Sequence, residues 1–279
     1  MSNLIPRIEF LLQSLFIQQN SCPYCRSKNI HIVVMKYPTV PVKRCQQCLL
    51  YFTSPIYKSC ISRNFYEGFY SGEGLTTRMP RLQDLVRMKN NNFLDTQKNF
   101  NWLLPKLVDA VGSANRSLLE IGCSWGYFLF QAKKYGFDPV GIEIDPRRAA
   151  FGREHLGVDI VLDFDELPNA GFNIVFSWHT FEHLTDPYTM LEKIRGQLIA
   201  NGHLFIVLPV FDWDRFGKRN LSVIGAVHPL GFTVEFFKKN LPRHGFSIHS
   251  FFGQATDFPN QPSDIPTETG LMVWARKKS

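Results

Sequence analysis

The stretch LLEIGCSWG, Leu118 to Gly126, joins an apolar run to a glycine-bounded turn and leads into a helical pattern. A doubly wound α/β sheet begins in this way, because glycine lets the backbone approach a ligand and the following helix aims its first amides at it. Alone the signal is weak, since a tight turn with no ligand needs the same glycines. Twenty-one residues beyond Gly122, Glu143 closes a second apolar run, VGIEID. A carboxylate there can accept both hydroxyls of an adenosine ribose, through charge-assisted hydrogen bonds of about 1.5–3 kcal/mol each. A dinucleotide would put a pyrophosphate at the turn, usually on GxGxxG. Here the spacing is GxxxG and Glu120 adds negative charge, which suits a cofactor carrying an ammonium and a sulfonium.

Outward from this turn, from about residue 106, short β-branched runs alternate with helical segments, the signature of a parallel sheet with crossover helices. The runs predict strands at 117–121, 139–144, 159–162, 172–178 and 203–208, and helices near 127–135, 146–154, 187–198 and 234–243. Two further runs, 246–252 and 270–276, suit a hairpin at the sheet edge. The expected fold is α/β, a Rossmann-like, seven-stranded, mostly parallel sheet.

In front of it stand Cys22-Pro-Tyr-Cys25 and Cys45-Gln-Gln-Cys48, separated by 19 residues that include the extended stretch HIVVMKYPTVPVKR. This is zinc-ribbon spacing, in which each CxxC turn offers two thiolates and a hairpin brings the turns together into one tetrahedral site. Two disulfides or a redox dithiol are the alternatives; a redox motif normally opens a helix, whereas Pro41 and Val42 suggest a strand. The division expected is an amphipathic helix over 1–20, a ribbon over 21–55, a helical connector over 56–105 with Phe65, Tyr66, Phe69 and Tyr70, and the α/β domain over 106–279.

Arg7 and Glu9 interrupt the first apolar run, which is too short to span a bilayer and lacks a cleavage site, so it reads as a docking helix rather than a targeting signal. Paired CxxC cysteines with no secretory signal favour a reducing, cytoplasmic setting. The net charge of +7 comes from scattered basic residues, which permits an anionic or nucleic-acid partner without requiring one.

The run Trp178-His179-Thr180-Phe181-Glu182-His183 contains HxxEH, which also occurs in zinc peptidases. That use needs a helix carrying both histidines, and here the motif follows the strand FNIVFS directly. Downstream, VHPLGFT carries His228 and ends at Thr233, a helix N-cap by type and place. The insertion 209–227, with Trp213, Asp214 and Arg215, has the length and chemistry of a substrate loop.

Taken with CLLYFTSP, FYEGFY, VLDFDEL and FSWHTFEHLTDP, these motifs resemble the class I S-adenosylmethionine-dependent methyltransferases, in particular the zinc-ribbon members of sugar and natural-product pathways. The resemblance implies that Glu120, Gly122 and Gly126, with Cys123 and Ser124 between them, hold the methionyl part of the cofactor. It implies Glu143 at the ribose with Ile144 beside it, Asp163 as acceptor of the adenine amino group, Phe164 as an adjoining wall, and Ser177 at the end of the fourth strand. His183 first, then His179, are the implied bases facing the transferring methyl, with His228 near the same cleft and a structural zinc on Cys22, Cys25, Cys45 and Cys48. The sequence departs from the family at Cys123-Ser124-Trp125, where a further glycine is more usual, and the bulk of Trp125 is expected to narrow the cofactor entrance.

The expected acceptor is a small molecule such as a sugar, nucleotide-sugar or natural-product intermediate. SWHT after the fourth strand, in place of Asn/Asp-Pro-Pro-aromatic, argues against methylation of a base amino group. A zinc-ribbon RNA methyltransferase and a non-catalytic cofactor- or partner-binding module are the competing readings.

Overall fold

Between its cysteine pairs the chain folds back on itself, as β-branched residues alternating with turn residues dictate. The computed structural model describes residues 15, 18–56, 78–112, 116–167, 171–267 and 270–279. Strand β1 (Ile30–Lys36) runs antiparallel to β2 (Val40–Cys45), which pairs with β3 (Tyr51–Thr53). The proposed N-terminal helix, apart from Leu15 and the segment 18–20, lies outside the described residues, as do connector residues 57–77 with their four aromatics. The rest of the connector contains α1 (Leu82–Asn90) and the start of α2 (Leu104–Val111).

The domain that follows runs β4 (Ser117–Ile121), α3 (Tyr127–Lys134), β5 (Asp138–Ile142), α4 (Pro146–Leu156), β6 (Asp159–Val161), β7 (Phe172–Trp178), α5 (Pro187–Gln197) and β8 (Leu198–Leu208). It continues through one turn of helix, α6 (Trp213–Phe216), a two-residue strand β9 (Leu230–Gly231), α7 (Val234–Asn240), β10 (Phe246–Phe252) and β11 (Leu271–Lys277). The seven-stranded sheet has the order β10-β11-β8-β7-β4-β5-β6. Strands β4 to β8 pair in parallel, and β11 enters antiparallel between β8 and β10.

Both faces of the sheet are covered at its centre, which is why β4, β7 and the second half of β8 are mostly apolar. Leu119 and Val175 point into a core shared with Leu191 and Ile194 of α5 and Phe236 and Phe237 of α7. Their neighbours Leu118, Ile174 and Phe176 point into the opposite core, with Phe128 and Leu129 of α3 and Leu104 and Leu107 of α2. Helices α4, α5 and α7 start on side-chain caps: Asp145 accepts from Arg147 N, Asp186 from Thr189 N, and Thr233 from Phe236 N; α3 starts at Gly126 without one. Strand β8 begins five residues before the expected 203, directly after α5. Asn201 takes a left-handed φ of 62° in an irregular stretch, across which the register slips from Phe172↔Leu198 to Ile174↔His203.

The ribbon is welded to this domain. Leu230–Gly231 adds a fourth strand to the ribbon sheet, opposite Phe52 and Tyr51. Cys22, Tyr24, Cys45, Cys48 and Phe52 belong to the same buried cluster as Phe232, Phe236 and Phe237. Asn240 Nδ2 donates to Cys48 O at 2.9 Å, and the Tyr24 hydroxyl meets His244 Nε2 at 2.7 Å. Among the described residues no helix is long and apolar enough to cross a membrane.

Candidate cofactor cleft and histidine cluster

The C-terminal ends of β4, β5 and β7 converge where the sequence placed its glycine turn. Gly122 N and Cys123 N both donate to Ile142 O, at 2.9 and 3.0 Å, which fastens the turn to the end of β5. Gly122 has φ 76°, and a Cβ there would lie 2.8 Å from Thr180 Cγ2, so this position needs glycine for both conformation and space. Ser124 occupies the left-handed region at φ 53°. Trp125 is fully buried against Phe93, Tyr127 and Phe151, so its bulk goes into packing instead of narrowing the entrance as expected.

Buried polar atoms without partners cluster here. Glu120 Oε2, Ser124 Oγ, Trp125 Nε1 and Ser177 Oγ have no hydrogen-bond partner among the described residues. Such atoms are costly to bury unless something satisfies them. Burial, and then the charge of Glu143, push the Glu120 carboxyl well above its ordinary range. Glu143 is itself buried, with Oε1 accepting from Asp145 N at 2.8 Å, and burial raises its pKa as well. Beside it Ile144 is 61% exposed, an uncovered apolar side chain at the end of the second strand. Phe164 is nearly buried and Asp163 is exposed. Burial works against ionisation of Asp163, yet Lys193 Nζ at 3.4 Å and the Phe164 amide at 2.6 Å hold its carboxyl below the usual range.

Thr180 connects this cleft to the histidines. Its Oγ1 donates to Ile121 O at 3.1 Å, so the chain leaving β7 crosses directly over the glycine turn. His179, at φ 51°, places Nδ1 3.2 Å from Glu182 Oε1. Glu182 is 1% exposed, and its other oxygen, Oε2, has no partner among the described residues. Burial opposes its ionisation, but the hydrogen bond from His179 holds its pKa below the ordinary value. His183 Nδ1 bonds Val227 O at 2.7 Å and His228 Nδ1 bonds Val223 O at 2.9 Å, with the two rings 4.6 Å apart. Burial lowers the His183 pKa to about 4, which keeps that ring neutral at pH 7.

All three sequence-selected histidines therefore meet in one cluster. Glu182, which holds the group together, was visible within HxxEH but not selected; its burial in a single 3-10 turn is not legible from spacing. The four ribbon cysteines also converge, with their sulfurs all within 4.8 Å of one another. Cys22 and Cys48 are 3.4 Å apart and Cys25 and Cys45 3.5 Å, and none is disulfide-bonded. Four sulfurs at about 2.3 Å from a tetrahedral zinc would lie roughly 3.8 Å apart, so the set fits that ion. A separate cavity of about 410 Å³ lies between ribbon and insertion, lined by Arg44, Asp212, Asp214, Arg215, Thr233 and Glu235.

Sheet order, glycine turn and strand-end carboxylates together define the Rossmann-like fold of the class I methyltransferases. A family profile described as a methyltransferase domain matches residues 92–250, more than half of the chain, and the protein belongs to that family of S-adenosylmethionine-dependent enzymes. Over 148 residues the chain is 30% identical to a tRNA U34 carboxymethyltransferase of Shewanella pealeana, covering 46% of this chain and 44% of that one. A second, from Serratia proteamaculans, is 26% identical over 133 residues, covering 44% and 41%. The chain thus spans less than half the length of these curated relatives. The plantazolicin methyltransferase BpumL, solved with S-adenosylhomocysteine, superposes with TM-score 0.54 at 14% identity, covering 78% of this chain and 96% of that chain. At that identity the likeness is one of fold.

Proposed function

We propose that this chain methylates an oxygen or an acidic carbon of a small polar molecule, using S-adenosylmethionine, with His179 as the base. The observation that carries this reading is the His179–Glu182 pair above the glycine turn, at 3.2 Å. Sequence alone ranked His183 ahead of His179. Geometry favours the reverse: the half-buried His183 turns its Nδ1 to a backbone carbonyl, while the half-exposed His179 has a carboxylate behind it to stabilise the imidazolium.

The cofactor, when bound, supplies a methyl carbon activated by a sulfonium leaving group. Glu143 would take the ribose hydroxyls, and Glu120 with Gly122, Cys123, Ser124 and Gly126 the methionyl end. Ile144 and Phe164 would flank the adenine, Asp163 would accept its amino group, and Ser177 would close the floor. The unpartnered Glu120, Ser124 and Ser177 oxygens supply the acceptors and donors such a ligand needs. His179 Nε2 would take the acceptor's proton as the new bond forms, with Glu182 holding the ring in place. In this reading Cys22, Cys25, Cys45 and Cys48 hold a structural zinc, and their reduced state accords with a cytoplasmic protein.

The small acceptor is supported by the scatter of the basic residues along the chain, where a phosphate backbone would favour one continuous run. A second reading, an RNA acceptor, draws on the relatives named for tRNA modification, although 148 aligned residues are too few to include both the ribbon and the whole sheet.

Calorimetric titration of S-adenosylhomocysteine into the zinc-loaded protein tests the cofactor site. Micromolar binding is expected, weakened at least tenfold in Glu143→Ala; absence of binding to folded protein would overturn the reading. With labelled cofactor, label should then enter small-molecule fractions. Labelling confined to RNA, with affinity falling steeply as salt rises, would select the second reading instead.

A further inference from the structure

Beyond the cysteine set, one other group of described residues has the arrangement of a metal site, and it lies in the catalytic cleft. Glu182, His183 and His228 each present one ligand atom, and these atoms all lie within 4.8 Å of one another. We propose that Glu182, His183 and His228 bind a divalent first-row transition-metal ion, which in turn holds the oxygen of the methyl acceptor.

Tautomer supplies the first argument. His183 and His228 each direct Nδ1 at a backbone carbonyl, Val227 O and Val223 O. An Nδ1–H donated to a carbonyl leaves the lone pair on Nε2, and ligating histidines are generally oriented in this way. The carboxylate supplies the second. Glu182 is 1% exposed, and Oε1 is engaged by His179 while Oε2 has no partner among the described residues. A buried carboxylate oxygen left unpaired is costly, and a cation offsets that cost directly. His179 then does for the carboxylate what Val223 and Val227 do for the rings: it fixes the ligand from behind.

Donor type selects the ion. Two imidazoles and one carboxylate favour iron, cobalt, zinc or manganese in the divalent state over magnesium or calcium, which prefer all-oxygen sites. At metal–ligand distances of about 2.0–2.2 Å the three donors would draw in to roughly 3–3.5 Å of one another. Three protein ligands leave coordination positions for the acceptor, whose oxygen would meet the ion on the side where His179 can take its proton. The inference rests on the proposed reaction for its purpose, but not for its detection.

The ribbon is first filled with zinc, to one equivalent by elemental analysis, and Co²⁺ is then titrated by calorimetry and visible absorption. A second equivalent should bind with weak nitrogen- and oxygen-ligand bands and without thiolate charge transfer. His228→Ala should weaken it at least a hundredfold, Glu182→Gln similarly, and His179→Gln about tenfold as the supporting hydrogen bond is lost. His228 lies in the loop before β9, so His228→Ala decides the matter if Glu182→Gln fails to fold. Binding of only the ribbon equivalent, or an undiminished second equivalent in folded His228→Ala, would overturn the proposal. Cobalt binding with no S-adenosylhomocysteine binding would leave the metal site standing and remove the methyltransferase reading.

Discussion

A carboxylate inside a protein is tolerated only when charge or hydrogen bonds compensate it, and Glu182 obtains one such partner from His179. If His179 is the base, His179→Gln should lower kcat roughly 10²–10⁴-fold, and calorimetry should find its affinity for S-adenosylhomocysteine unchanged. A merely structural His179 would instead show a reduced melting temperature and weakened cofactor binding. This centre was partly legible in the chain. A strand running straight into HxxEH excludes the helical zinc-peptidase geometry and points the histidines at the strand ends, and Glu143 and the glycine turn follow from spacing. What spacing could not show is that Val227 and Val223 fix the tautomers of His183 and His228, because those bonds bridge 44 and 5 residues in a segment with no regular period. Nor could it show that Trp125 turns into the core.

At the scale of elements, the sheet was the legible part, since a fully covered parallel strand is an apolar run and α4, α5 and α7 announce themselves with an Asp or Thr cap. The docking of the ribbon was not. It depends on Leu230–Gly231, two residues with no strand signature, pairing with β3. It depends as well on Lys36, which reaches from β1 to Leu221 O at 2.6 Å and to Ile224 O, and on Arg44, which meets Asp214 at 2.6 Å. These contacts make the insertion 209–227 a loop carried by the ribbon as much as by the sheet. Removing zinc with a strong chelator, or by Cys45→Ser, should therefore lower the melting temperature of the whole protein in one cooperative transition. Loss of the ion should also disturb the 410 Å³ cavity that Arg44 helps to line. Calorimetry resolving a separate ribbon transition, with the main one unmoved, would contradict this coupling.

Across the whole molecule, the same fusion of parts ties global stability to a few buried ionisable groups, and one of them lies far from the cleft. His203, on β8, accepts a hydrogen bond from Trp274 Nε1 at 3.0 Å across the β8–β11 pair, and His249 stacks on the same indole. Burial first, then the positive charge of Arg276 and the neighbouring His249, lower the His203 pKa to about 4. The native state therefore resists protonation that the unfolded chain accepts near the ordinary value of about 6.5. Because the unfolded state binds more protons in that interval, stability is fully present above about pH 6.5 and declines as the pH falls towards 4. The side chain is half-buried, so solvent screening limits the effect to about 1 kcal/mol. In His203→Gln, whose amide oxygen can still accept from Trp274, the fall in melting temperature between pH 7 and pH 5 should be shallower than in the parent by roughly 2 °C. Equal slopes in the two proteins would mean that the strand edge opens to water and that His203 titrates there as an ordinary surface histidine.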